Sequence, residues 1–126
     1  MRNKAKYSLK IHLIFVTKYR KQLLSNHVID QYIKQQLLFL QTEYFSIDVL
    51  ETDKDHVHMI ISYSPSVSVV QIVRKLKQQT TVNIWKQMNL RRYYWKEKTF
   101  WSDGYFAYSI GDASTSTIMK YIEQQG

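Results

Sequence analysis

The stretch DHVHMII, residues 55–61, decides the fold, because it reads as a buried β-strand that carries two histidines. Strand side chains alternate between the two faces of a sheet, so His56 and His58 are predicted on one face and their apolar neighbours on the other. An apolar face packed under helices would hold both imidazoles on a rigid element, as a metal or catalytic site requires. Two half-exposed polar positions in a sheet would produce the same pattern.

The residues before this stretch predict a hairpin. Ile47 and Val49 alternate with acidic residues, and the polar residues 52–55 form a turn into the histidine strand. Pro65 ends the strand pair, because proline has no N–H to donate to a sheet. The two strands should therefore be antiparallel neighbours.

The remaining chain alternates strand and helix patterns. Residues 7–17 form a first strand, in which His12 is interpreted as a polar sheet position and apolar residues on both faces indicate a central location. A first helix, capped by Ser25 or Asn26, is predicted to reach about Tyr44. The other predicted elements are a helix from Ser66 or Ser68 to about Trp85 or Met88, a strand from Tyr105 to Ile110, and a last helix at about 114–125.

This order predicts an α+β fold in one domain, residues 1–126. The first six elements follow the split βαβ pattern of a ferredoxin-like or RRM-like sandwich, with an antiparallel sheet of about four strands and two helices on one face. The C-terminal helix is left over from that pattern.

Composition favours a nucleic-acid partner. The chain of 126 residues has a net charge of +8 and contains ten tyrosines, five phenylalanines and three tryptophans. Cations neutralise phosphates and aromatic rings stack on unpaired bases, although a basic protein with an ordinary aromatic core would look similar. The absence of cysteine excludes thiolate ligands and disulfides. No apolar run is long enough for a membrane span, so a cytoplasmic protein is expected.

Two segments mix basic and aromatic residues: TKYRK at 17–21 and LRRYYWK at 90–96. Basic residues also line the polar side of the second helix. Each set is typical of phosphate contacts or of a solvated surface. The candidate nucleic-acid-binding residues are Lys18, Tyr19, Arg20, Arg74, Lys77, Arg91 and Arg92.

The C-terminal helix presents Tyr121 and Gln125 four residues apart and hence on one face. Together with the histidine pair, this arrangement resembles the single-tyrosine HUH (histidine-hydrophobic-histidine) transposases, which move bacterial and archaeal insertion sequences as single-stranded DNA. The resemblance spans nearly the whole chain. It is carried by four motifs in order, namely FVTKYR at 15–20, DHVHMI at 55–60, WSDGYF at 101–106 followed by Gly111, and YIEQQ at 121–125.

The resemblance implies a mechanism and partners. Tyr121 would attack a phosphodiester and form a 5′-phosphotyrosine, while His56, His58 and Gln125 would hold one divalent metal, Mg²⁺ or Mn²⁺. The imidazoles by themselves suit zinc, nickel or copper, whereas magnesium prefers oxygen ligands, so the residues alone favour zinc and only the resemblance implies magnesium or manganese. The resemblance further implies a homodimer acting on hairpin-containing ends of single-stranded DNA, with Tyr121 serving either its own subunit or the other.

Two other functions fit parts of the sequence. The first is a non-catalytic module that binds single-stranded nucleic acid, in which the tyrosines stack on bases and the histidines have no catalytic role. The second is a relaxase-like or domesticated HUH nuclease. Such enzymes resemble this chain less, because they are usually longer and often carry a third histidine.

Overall fold

The computed structural model describes residues 9–110, which form one antiparallel sheet and two helices. The elements in chain order are β1 (Leu9–Val16), α1 (His27–Phe39), β2 (Phe45–Asp53), β3 (His56–Tyr63), α2 (Val69–Gln87) and β4 (Phe106–Ser109). The strand order is β2-β3-β1-β4, and all three strand pairs are antiparallel. The predicted ferredoxin-like sandwich is therefore confirmed. The predicted helix at about 114–125, with Tyr121 and Gln125, lies outside the described residues.

One face of the sheet carries the main hydrophobic core. One cluster with both helices is formed by Ile11, Leu13 and Phe15 of β1 and by Val57, Met59 and Ile61 of β3. This cluster includes Leu13 from β1, Met59 from β3, Leu37 from α1 and Leu76 from α2, all of which are fully buried. The helices therefore cover the face opposite the histidine pair.

The second face of the central strands is also largely buried. Ile14 on β1 and Ile60 on β3 are 6% and 8% exposed, and His12 and Ser62 are buried beside them. This agrees with the prediction that β1 is a central strand covered on both sides. The histidine pair shares this second face.

The helices begin where their capping residues predict, but α1 ends early. The Asn26 side chain accepts hydrogen bonds from the N–H groups of Val28 and Ile29, which selects it over Ser25 as the cap. The predicted end near Tyr44 is wrong, because α1 stops at Phe39 and the Gln41 side chain accepts a hydrogen bond from Ile47 N–H of β2 at 2.7 Å. Within residues 9–110, neither helix combines the length and apolarity of a membrane span.

Candidate active site

The histidine pair lies at the start of β3, an interior strand that is hydrogen-bonded to β1 on one side and to β2 on the other. His56 and His58 share a face as predicted, and their ring centroids are 6.0 Å apart with an interplanar angle of 26°. His58 is buried at 8% exposure, whereas His56 is partly exposed. The pair thus combines a buried ring with one that solvent can reach.

Asp55 contacts His56 through its side chain. One carboxylate oxygen lies 3.1 Å from His56 Nδ1, and the other accepts a hydrogen bond from Arg20 Nε, also at 3.1 Å. Burial alone would raise the pKa of this carboxyl, but the hydrogen bonds and charges of His56 and Arg20 outweigh burial and lower the pKa. Asp55 is therefore an ionised acceptor at neutral pH.

His58 has a different environment from His56. Its Nε2 lies 3.7 Å from a carboxylate oxygen of Glu51 on β2, and its ring stacks on His12 at a centroid distance of 5.7 Å. His12 is fully buried, and neither of its ring nitrogens has a hydrogen-bond partner among residues 9–110. Burial and the neighbouring His58 lower the pKa of His12 to about 4, against an opposing effect of Glu51. A neutral imidazole thus lies behind His58.

The donor set fits a divalent metal that is only partly held by protein. No group of three His, Cys, Asp or Glu side chains suitable for a metal occurs within the described range 9–110. His56 and His58 therefore offer two imidazoles there, and Gln125 lies beyond that range. Imidazole donors suit Zn²⁺, Ni²⁺ or Cu²⁺, and Mg²⁺ or Mn²⁺ at this pair would need water and phosphate oxygens to complete its coordination.

The basic loop, residues 17–21, lies next to this site. Tyr19 and Arg20 both have positive φ, at 61° and 53°, and the Tyr19 ring is 72% exposed. Lys18 Nζ lies 5.6 Å from the centre of that ring and 3.4 Å from Asp103. Arg20 reaches the histidine site through Asp55, so this loop connects an exposed aromatic ring to His56.

The aromatic segment, residues 90–96, packs against the basic loop although some 70 residues separate them. Tyr94 is buried, and its hydroxyl donates a hydrogen bond to the Lys18 carbonyl oxygen at 2.8 Å. Burial, with a smaller contribution from Tyr19, raises the pKa of Tyr94, so the phenol stays a neutral donor. The two basic and aromatic segments found in the sequence therefore form one surface, which we call the loop platform.

Several side chains of the loop platform are available to a ligand. The Trp95 ring is 73% exposed, with Lys96 Nζ 5.2 Å from its centre. Arg92 lies over the Tyr93 ring at 5.3 Å, and Arg91 is exposed. Exposed rings beside cations can stack on bases while the cations contact phosphates.

The two candidates on α2 differ from each other. Arg74 is exposed. Lys77 instead is half-buried, and its ammonium donates hydrogen bonds to the carbonyl oxygens of Ser102, Asp103 and Gly104 at 2.6, 3.2 and 2.7 Å. Burial is the main cause of the lowered pKa of Lys77. This lysine ties α2 to the turn that precedes β4.

Sequence reasoning assigned no role to Asp55, Glu51 or Tyr94. Asp55 stands directly before the histidine strand, so its position was a usable signal, but its contact with Arg20 depends on the fold. Glu51 meets His58 only through the β2–β3 register. Tyr94 lies in one of the two basic and aromatic segments, but its ring is buried and its hydroxyl holds the basic loop.

Comparisons with known proteins identify relatives along nearly the whole chain. The family described as "Transposase IS200 like" matches residues 5–125. The transposase for insertion sequence element IS200 of Salmonella typhimurium is 25% identical over 122 residues, which cover 95% of this chain and 78% of that protein. The ISDra2 transposase TnpA of Deinococcus radiodurans is 29% identical over 124 residues, covering 94% and 85%.

Solved structures agree with these sequence matches. A crystal structure of a candidate transposase from Deinococcus radiodurans superimposes with a TM-score of 0.75 at 26% identity and covers 99% of this chain and 98% of its own. A REP-associated tyrosine transposase, solved bound to a REP hairpin, has the same fold, with a TM-score of 0.63 at 15% identity and coverage of 98% and 67%. The chain, with its histidine pair at the start of an interior strand, belongs to the IS200-like transposase family.

Proposed function

We propose that this protein cleaves and rejoins single-stranded DNA at the ends of an insertion sequence, with Tyr121 as the nucleophile. The observation that carries the proposal is the pair of imidazoles on one face of a central strand, within a chain of the IS200-like family. Imidazoles held by strands on both sides keep their spacing while DNA binds. Such preorganisation is what a metal-assisted phosphoryl transfer needs.

The reaction is a transesterification in which the number of phosphoester bonds stays the same. The Tyr121 phenol gives up its proton as its oxygen bonds to the scissile phosphorus, the bond to the 3′ oxygen breaks, and that oxygen takes up a proton to become a free 3′-hydroxyl. The DNA stays attached as a 5′-phosphotyrosine. Attack by a 3′-hydroxyl on the phosphotyrosine then rejoins strands and restores the phenol, so no external energy source is required.

His56 and His58, with Gln125, would hold a divalent ion, Mg²⁺ or Mn²⁺. Such an ion supplies Lewis-acid polarisation of the phosphate, which a phenol with an ordinary pKa near 10 needs at neutral pH. The chain's own part is to keep the two imidazoles oriented toward the DNA. His12 and the strands on either side restrict the His58 ring, and Asp55 contacts the His56 ring.

Single-stranded DNA with hairpins is the proposed partner. Support comes from the loop platform, which combines exposed rings with cations beside the histidine site, and from the net charge of +8. The structural relative bound to a REP hairpin adds a precedent within the same fold. A homodimer, with Tyr121 acting on either subunit, follows from the resemblance to single-tyrosine transposases.

The test is formation of a covalent protein–DNA adduct. Wild-type protein, Tyr121→Phe and His58→Ala are incubated with labelled oligonucleotides from the ends of the element, with Mg²⁺, Mn²⁺ or a chelator. We expect a denaturant-stable labelled band only for the wild type with metal, because each variant lacks one required group. Tyr63→Phe, a change of phenol on β3, is the matched control and should keep the band.

The outcomes separate the candidate functions. An adduct that survives in Tyr121→Phe would refute the nucleophile. Full activity of His58→Ala or full activity in chelator would refute the metal role. Tight binding without any adduct would instead favour a non-catalytic binding module.

A further inference from the structure

We infer that Asp55 is a positioning residue for His56, which it holds with Nδ1 protonated and Nε2 free to bind the metal. This inference rests on the proposed function, in which His56 is a metal ligand. It concerns the histidine that is partly exposed and therefore has fewer packing contacts to fix its ring.

The first step is the direction of the Asp55–His56 hydrogen bond. The two atoms are 3.1 Å apart, and a carboxylate has no hydrogen to donate. His56 must therefore donate from Nδ1. A neutral imidazole carries a single N–H, so its Nε2 keeps the lone pair that a metal requires.

The second step is that Asp55 is itself held on two sides. Arg20 donates to its second oxygen, so the carboxylate cannot rotate without losing a charged hydrogen bond. Its backbone carbonyl accepts a hydrogen bond from Thr17 N–H at 2.8 Å. The carbonyl of Lys54, the preceding turn residue, accepts one from Leu24 N–H at 2.8 Å. The segment between β1 and α1 thus clamps the turn that carries Asp55.

The third step is the contrast with Asp53. This acidic residue is paired directly opposite His56 in the β2–β3 ladder, yet it is exposed. Removal of Asp53 takes away the same charge from the residue paired with His56 and leaves the Asp55–His56 hydrogen bond in place. It therefore separates positioning from general electrostatics.

The experiment measures the tautomer of His56 directly. Two-dimensional ¹⁵N–¹H spectra of histidine side chains are recorded on the metal-free, DNA-free protein at a pH where His56 is neutral. We expect the wild type and Asp53→Ala to carry the proton on Nδ1, and Asp55→Ala to shift toward the Nε2–H form. If Asp55→Ala folds poorly, Asp55→Asn takes its place, because it keeps the side-chain shape. We expect the tautomer equilibrium of His56 in this variant to shift partway toward the Nε2–H form.

Manganese affinity is the second readout. Loss of a partner that orients a ligand typically weakens metal binding by about 10- to 100-fold, so Asp55→Ala should lose affinity on this scale and Asp53→Ala should change little. The inference would be overturned if His56 of the wild type is protonated on Nε2, or if Asp55→Ala and Asp53→Ala lose equal manganese affinity. If the wild type binds no manganese, the proposed metal role fails, while the tautomer still decides the role of Asp55.

Discussion

Lys77, a candidate DNA contact from the sequence, donates its ammonium hydrogens to the turn that precedes β4. Its position on the polar side of α2 made it a candidate, but its ammonium donates to three backbone carbonyls and lies 5.5 Å from the Phe15 ring. Sequence periodicity predicts on which side of a helix a side chain lies. It does not predict which groups of a neighbouring loop lie close to that side chain.

We therefore predict that Lys77→Met mainly lowers stability. The variant loses charged hydrogen bonds to the turn at 102–104, and we expect the free energy of unfolding to fall by about 1–3 kcal/mol. Urea denaturation followed by circular dichroism measures this change. Arg74→Met, an exposed site on the same helix, should stay within about 0.5 kcal/mol of wild type. Equal stability of the two variants would contradict the role given to Lys77.

For the histidine pair, the residue-level prediction was sufficient to assign both side chains to one face of the sheet. Alternation along a strand is a local property, so it placed His56 and His58 on one face without knowledge of the fold. The contacts of His58 with His12 and Glu51 come from the two neighbouring strands, β1 and β2. Such contacts depend on register, which the sequence alone did not specify.

At the scale of elements, local capping signals predicted where helices begin better than where they end. The caps Asn26 and Ser68 act on their own first turns, and Ser68 forms a reciprocal capping box with Gln71. The end of α1 depends on Gln41, because its side-chain oxygen accepts a hydrogen bond from Ile47 N–H of β2. The apolar periodicity predicted a helix to about Tyr44, because a sequence pattern does not indicate a hydrogen bond to another element.

The capping assignment of α1 can be tested with neighbouring residues. Asn26→Ala removes the acceptor for two backbone N–H groups, and we expect a loss of about 1 kcal/mol in the free energy of unfolding. Ser25→Ala, the alternative cap in the sequence analysis, should cost much less. Equilibrium urea unfolding of both variants measures the difference. A larger loss for Ser25→Ala would show that the capping residue is misassigned.

At the scale of the whole molecule, the topology followed from element order, whereas the binding surface did not. The split βαβ order with a hairpin at residues 45–63 allows few other arrangements of the four strands in an antiparallel sheet. The loop platform arises because Tyr94 joins two segments that no local pattern relates. Its cations nevertheless add to the excess positive charge that composition already indicated.

Salt dependence provides the test at this scale. The double change Arg91→Gln with Arg92→Gln should weaken binding to single-stranded DNA and reduce the slope of log K against log salt by about 0.7 for each phosphate that is no longer neutralised. Fluorescence anisotropy between low and moderate salt measures the slope. The control is Lys34→Gln on α1, in the helical layer behind the sheet. An unchanged slope in the double variant would exclude Arg91 and Arg92 from binding phosphates.

The two consecutive positive-φ residues of the basic loop have a consequence for engineering heat resistance. Each non-glycine residue in this conformation costs roughly 1 kcal/mol or more, so glycine at position 19 or 20 would relieve strain. The same change would remove the exposed ring of Tyr19 or the guanidinium that holds Asp55. A selection for thermal tolerance alone would therefore favour changes at the residues that connect the loop platform to His56. Libraries built for that purpose should leave positions 19 and 20 unchanged.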